Sequence, residues 1–418
     1  MAYEPTFTKA YPGGWKDLPE ETTPIIADAL NKYDSAITAI ENQLKSTTEK
    51  YDENISAGRK AGENVGIRSA GFGTQVIASG ENSVAFGYFS KATGNHSSCF
   101  GNNSTASGID SFAEGSGTTA SSNSAHSEGY GSSASATAAH AEGSGSASGE
   151  YSHAEGVTTT ASGKYSHAEG SGTKSVGMGS HTEGFKTEAN ADFGHAEGNQ
   201  SKVLAQNESG TNISCGHAEG SNTEVSGESG HSEGSNTKAK GSSCHAEGSN
   251  TISSNMASHA EGIGTTASGA GSHAEGNSTI ASGDISHAEG SSSKSTGMSA
   301  HSEGMSTTAS GQFAHAEGVN TVASNSGSHS EGAGTKASSA MQHVQGKYNV
   351  EDTEGTYAHI VGGGTDDTSR ANIHTLDWNG NAAFAGDVTN GAGVSLNGLK
   401  TLIDTLQAAV EQLQGSGS

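Results

Sequence analysis

A tetrad of the form His-x-Glu-Gly occurs 15 times between His126 and Gly332. Twelve of the fourteen intervals between successive tetrad histidines repeat one step, that from His153 to His167. The interval from His140 to His153 is one shorter than this period of fourteen, and that from His195 to His217 is eight longer. Self-similarity at a fixed short period marks a stacked repeat, because each coil must keep register with the next. Fourteen residues divide into two alternating strands of about five and two turns of about two, which is strand spacing and not helix spacing. Each unit shows both halves, as in Thr159-Thr160-Ala161-Ser162-Gly163 followed by Ser166-His167-Ala168-Glu169-Gly170. Gly closes each half and permits a tight bend.

Composition supports a thin fold. Of 418 residues only 30% are hydrophobic and 5% aromatic, too little bulk for two or three ordinary cores. Charged residues at 16% are few for a charge-driven disordered chain. No Pro follows Pro24, as a continuous parallel ladder requires. Stepping by the same period extends the phase back through Phe112, Ser98, Val84 and Ala70, and forward to His343. The resulting 20 units, over about residues 66–346, would make a rod of roughly 95 Å at about 4.8 Å per coil.

Side-chain direction follows from alternation. The residue between His and Glu is never larger than Thr, so that position points into a narrow interior. The outward face then carries His126, His140, His153, His167, His181, His195, His217, His231, His245, His259, His273, His287, His301, His315 and His329. With them go Glu128, Glu142, Glu155, Glu169, Glu183, Glu197, Glu219, Glu233, Glu247, Glu261, Glu275, Glu289, Glu303, Glu317 and Glu331. Phe72, Val84, Phe86, Phe100 and Phe112 stand on the same face, and a contiguous apolar stripe is expected to meet another chain. The imidazoles and carboxylates therefore read as an interchain hydrogen-bonded network. His and carboxylate are also zinc or nickel ligands. A metal site is usually specified once, so no metal and no cofactor is expected, with ions on a symmetry axis left open. If assembly gives each His a Glu partner, its pKa is expected to rise above about 6.5.

Two heptad seams border the repeat. Ile26, Leu30, Tyr33, Ile37, Ile40 and Leu44 are spaced 4, 3, 4, 3, 4; Leu396, Leu399, Ile403, Leu406, Val410 and Leu413 are spaced 3, 4, 3, 4, 3. The chain divides into an attachment segment 1–24, a coiled-coil helix 25–52, a linker 53–65, a shaft 66–346, a small β domain 347–395, a second coiled-coil helix 396–414 and a GSGS linker 415–418. Within 347–395, alternation on both sides of Asn379-Gly380 predicts a hairpin. Eight extra residues within 200–213 predict a protruding loop.

The net charge of −25 argues against nucleic acid and anionic membrane as partners. No signal-peptide pattern or apolar run of spanning length is visible. Cys99, Cys215 and Cys244 lack paired spacing. A uniform rod offers no single cleft for acid–base catalysis, so a non-enzymatic role is expected.

The unit Asn82-Ser83-Val84-Ala85-Phe86-Gly87 with Ser90-Lys91-Ala92-Thr93-Gly94 resembles the head repeat of YadA-type trimeric autotransporter adhesins. That resemblance implies an all-β, left-handed parallel β-roll solenoid with three chains side by side. Isolated heptads with Ile or Val at a would favour a dimer, and the resemblance shifts the expectation to a homotrimer. The H-A-E-G roll is also similar to tail-fibre and minor structural proteins of phages and prophages of Gram-positive bacteria. So are Tyr11-Pro12-Gly13-Gly14-Trp15-Lys16-Asp17-Leu18-Pro19, Thr23-Pro24-Ile25, and the stretch from Ala358-His359-Ile360-Val361-Gly362 to Leu376-Asp377-Trp378-Asn379-Gly380-Asn381. These resemblances imply a virion tail fibre, extracellular after release, that joins phage tail or baseplate proteins to a host surface receptor, glycan or protein. An exported bacterial adhesin and a spike with polysaccharide-degrading activity are the alternatives.

Overall fold

A computed structural model describes residues 31–44, 54–59, 65–389 and 391–415. Contacts divide the chain into two units, Met1–Gly143 and Ser144–Ser418, each considered by itself.

The first unit contains a helix over 31–44 and a parallel β-roll. One sheet of the roll takes Asn54–Arg59, Ser69–Ala78, Val84–Tyr88, Ser98–Asn102, Phe112–Ser116, His126–Tyr130 and His140–Ala141. The other takes the end of Ser69–Ala78, with Ile77 opposite Lys91, then Lys91–Ala92, Thr105–Ala106, Thr119–Ala120 and Ser133–Ala134. Pairing is in register, with Phe72 opposite Phe86 and Phe86 opposite Phe100. The roll begins earlier than the sequence suggests: Asn54–Arg59 pairs in parallel with the Ser69 strand, Ala57 opposite Phe72. Residues 54–59 are thus a further rung and not linker. The period was obscured because the step from Asn54 to Ser69 is one longer than the period, and Asn54-Ile55-Ser56-Ala57-Gly58 lacks the tetrad.

The second unit repeats the same coil. One sheet runs from His153–Val157 to His343–Lys347, and the other from Ser146–Ala147 to Lys336–Ala337. The interior is lined by Ala154, Ala168, Thr182 and Ser232, all buried, so methyl and hydroxymethyl groups fill it. Hydroxyls pair across that space, Ser175 with Ser180 at 2.6 Å and Ser232 with Thr237 at 2.7 Å. Where a larger Val203 or Val225 enters, the facing position is Gly. A Cβ on Gly216 would lie 2.7 Å from Val203 Cγ1 and 2.9 Å from Val225 Cγ1. Coils approach so closely that the tetrad Gly has a further duty. Gly170 has φ +107°, and a Cβ there would collide with the carbonyl oxygen of Gly184 in the next coil.

The extra residues near 200–213 leave the ladder intact: His195 pairs His217 and Val203 pairs Val225. They leave after Val203 as a small excursion with a bridge between Gln206 and Asn212. The Ser214 hydroxyl donates to Glu228 at 2.7 Å, and Lys240 Nζ lies 2.5 Å from Glu208 Oε1.

The roll also continues past residue 346. Tyr357–Gly363 pairs in parallel with His343–Lys347, His343 opposite His359 and Gly346 opposite Gly362. The stretch 347–395 is therefore not a separate β domain. Its first strand is another rung, reached by a step from His343 to His359 that is two longer than the period. Asn372–Asp377 then pairs antiparallel with it, and Ala382–Phe384 pairs with Asn372–Asp377 around the Asn379-Gly380 turn. Reversal to antiparallel pairing ends a stack that would otherwise present a parallel edge for another coil. Buried Gln342 donates to Asp352 Oδ2 at 2.9 Å, and Tyr357 N donates to the same oxygen at 2.8 Å.

The helix Leu396–Gly415 starts at Ser395, whose hydroxyl accepts from Gly398 N at 2.9 Å. Leu396, Leu399, Ile403, Leu406, Val410 and Leu413 are exposed on it. In the first unit Tyr33, Ile37, Ile40 and Leu44 are exposed on the helix over 31–44. Ile26 and Leu30 lie outside the described residues. Among those described, no helix is long and apolar enough to cross a membrane.

Candidate functional site

The outward face of the first sheet is a column of like residues, because in-register parallel pairing puts each side chain above its counterpart. In the second unit the imidazoles from His153 to His343 stack ring over ring, with centroids 4.6–4.9 Å apart. Neighbouring rings lie nearly parallel, the angle between them running from 1° at His153–His167 to 19° at His195–His217, except for His181–His195 at 47°. The column carries on through His359 and His374 to Phe384. These last three are missed when the fixed period is the guide, since the spacing changes and the final two lie on antiparallel strands. In the first unit the column is aromatic: Phe72, Phe86, Phe100 and Phe112 have centroids 5.8–6.4 Å apart, and Phe112 meets His126 edge-on. Val84 stands on this face, and Phe86 is 54% exposed.

In the tetrads of His126, His195, His217, His231, His245, His259, His273, His287 and His315, Nε2 lies within 4.0 Å of the same coil's Glu. The Nε2–Oε2 separation is 3.4 Å for His126–Glu128, 3.7 Å for His195–Glu197, 3.8 Å for His245–Glu247 and 4.0 Å for His273–Glu275. These are ion-pair distances without hydrogen-bond geometry. The Nε2 atoms of His195, His217, His245, His259, His273 and His315 are shielded from solvent and make no hydrogen bond in the chain. Toward the end of the column the carboxylates also reach across coils: His315 Nε2 lies 3.7 Å from Glu317 and 3.9 Å from Glu303, and His343 Nε2 lies 3.4 Å from Glu331.

Within the single chain the imidazoles are shifted downward. Burial lowers the pKa of His167, His195, His217, His245, His259, His273, His287, His315, His329 and His359, and the stacked imidazole next door lowers it further. The glutamates oppose this and are outweighed, because like groups sit in van der Waals contact while the carboxylates remain partly hydrated. Within the single chain, then, Glu does not raise these imidazoles. Glu303 goes the other way, pushed up to about 7 first by a hydrogen bond with Glu289, then by burial and its bond with Glu317.

The second sheet carries an unrelated ladder, in which Lys174 lies 3.3 Å from Glu188 and Lys202 lies 3.8 Å from it. The corner before each tetrad is a further feature that periodicity did not single out. It adopts left-handed backbone with or without Gly: Tyr151 has φ 58°, Tyr165 60° and Phe193 55°. All three are exposed, and Tyr151 stacks on Tyr165 at 5.4 Å. Bulky residues at φ > 0 are strained. The signal was present in Tyr-Ser-His, where Asn or Gly would be the ordinary choice.

Residues 78–98, 100–120, 260–284 and 302–324 match the YadA head domain repeat. The rolls are YadA-like. Comparison with curated proteins gave no match. Together, the repeat match and the parallel solenoids support an adhesin-like or fibre-like structural protein.

Proposed function

We propose that the chain is the shaft of a trimeric fibre, carried on a phage tail, that mediates attachment to a host surface. One observation supports this reading above the others: the stacked rings of His195, His217, His245, His259, His273 and His315 have shielded Nε2 atoms that find no hydrogen bond within the chain, and in the first unit Phe86 is left exposed. A buried imidazole N–H without an acceptor costs about 1–3 kcal/mol. Repetition of that cost along one face is relieved when glutamates or waters of sister chains close against it. The exposed apolar stripe on Leu396–Gly415 fits the same parallel assembly.

The mechanism is geometric. Three rolls side by side make a stiff body that transmits position from tail or baseplate proteins to a receptor, glycan or protein. Threefold repetition turns weak contacts into avidity without new chemistry. No enzymatic step, cofactor, nucleic acid or membrane insertion is part of this reading. Light scattering on the purified chain tests it: the expected mass is three times 41.7 kDa, and a monomer would sink the proposal. The YadA-like repeat also favours a second reading, an exported trimeric adhesin, which immunogold labelling of particles against cell surfaces separates from the first.

A further inference from the structure

The His-x-Glu face brings nitrogen and oxygen donors together at separations suited to a shared ion. Two ligand atoms each about 2.1 Å from one Zn2+ at a tetrahedral angle lie about 3.4 Å apart. The best-formed set is Glu303, His315 and Glu317. His315 Nε2 stands 3.9 Å from Glu303 Oε1 and 3.7 Å from Glu317 Oε2, so one imidazole faces carboxylates from its own coil and from the coil before. A few tenths of an ångström of side-chain movement closes these distances. His315 Nε2 is shielded and has no hydrogen-bond partner in the chain, and each of the three side chains is about a third exposed.

The same pattern recurs along the face. His259, Glu261 and His273 place one donor atom each within 4.8 Å of one another, as do His315, Glu317 and His329. Stacked rings are parallel, so their lone pairs run side by side. An ion is therefore better held by one Nε2 with carboxylates than by two rings of one stack. Mixed imidazole and carboxylate donors suit zinc, nickel and cobalt better than calcium or magnesium.

The geometry points to a linear array of divalent transition-metal sites on the His-x-Glu face, with Glu303, His315 and Glu317 as the tightest. This departs from the expectation that a repeated His-x-Glu pattern is only a charge network. It does not rest on the fibre reading, since a single chain supplies the donors and water can fill the remaining positions. In an assembled fibre, carboxylates of sister chains could take the place of that water.

The test uses the full chain, freed of metal with a chelator and titrated at neutral pH with Co2+, then with Zn2+. Visible d–d absorption of bound Co2+, displaced by Zn2+ and saturating above one ion per chain, is the expected result. Glu303→Gln and His315→Gln should each bind the first equivalent at least about tenfold more weakly, since loss even of an outer partner costs roughly 10–100-fold. Glu224→Gln, on the other sheet, should leave that affinity unchanged. Binding of less than one ion per chain at micromolar metal overturns the proposal, as does parental affinity in both face variants. Circular dichroism shows whether each variant folds, and if His315→Gln does not, Glu303→Gln decides. Light scattering on the same samples separates the two ideas: a monomer that binds zinc refutes the fibre alone, and a trimer that binds none refutes the metal array alone.

Discussion

The phenylalanine rungs of the first unit and the histidine rungs of the second share one face of the same coil, Phe72, Phe86 and Phe100 standing where the tetrad has Glu and Phe112 where it has His, yet they stabilise by different physics. Phe72, Phe86, Phe100 and Phe112 tilt against one another by 32–44°. Their contribution comes from apolar area removed from water and is indifferent to pH. The imidazoles lie flatter and closer, and their worth changes with protonation. The two also differ in information. Identical His-x-Glu-Gly coils can meet a sister chain one coil out of register with almost the same contacts. The four Phe rungs occur once, so they distinguish the correct register from a slipped one.

The largest expected effect removes what the two regions share. Gly87→Ala and Gly170→Ala both place a Cβ against the carbonyl of the next coil. Each should destabilise by about 3 kcal/mol or more in chemical denaturation. Tolerance of one and not the other would mean that the backbone scaffold is not common to both regions. Next, Phe100→Ala should weaken self-association by about 2 kcal/mol, while His245→Ala should cost less than about 0.5 kcal/mol because its neighbours share the face. Sedimentation equilibrium on both variants measures this, and equal losses would erase the proposed division of labour.

Titration sharpens the contrast further. The folded imidazoles have lowered pKa values. Protonation therefore favours the unfolded chain, and stability should be full above about pH 6.5 and fall as the pH drops through that value. If assembly brings further carboxylates to the rings, the sign reverses and the trimer gains below about pH 6.5. Melting curves of dilute and assembled protein at pH 5 and pH 8 separate these cases, and a melting temperature independent of pH in both would show that the column does not titrate. The smallest effect is at the corner: Tyr165→Asn should be neutral or stabilising by up to about 1 kcal/mol, because Asn accepts left-handed backbone more readily. A clear loss in melting temperature would show that the Tyr151–Tyr165 stack supports the roll.

Much of the site was legible in the sequence, since alternation alone places His217 and Glu219 on one face and Ala218 inside. What it could not supply depends on contacts between coils. Asn54–Arg59 and Tyr357–Gly363 are rungs because their backbones pair with a neighbour, although the first lacks the tetrad and the second follows a step two longer than the period. The reach of Glu303 to His315 was equally hidden, because it joins side chains of different coils through a choice of rotamer.

Coil length, the two-strand division and the small interior are written in the repeat, because a stacked backbone recurs at fixed spacing and a larger inward side chain such as Val203 enters only where a residue as small as Gly216 faces it. Where the stack starts and stops, which corners carry strained aromatics, and in which direction the imidazoles shift were decided only when the coils packed together. Those outcomes depend on distances between atoms remote in the chain, and a period carries no record of such distances.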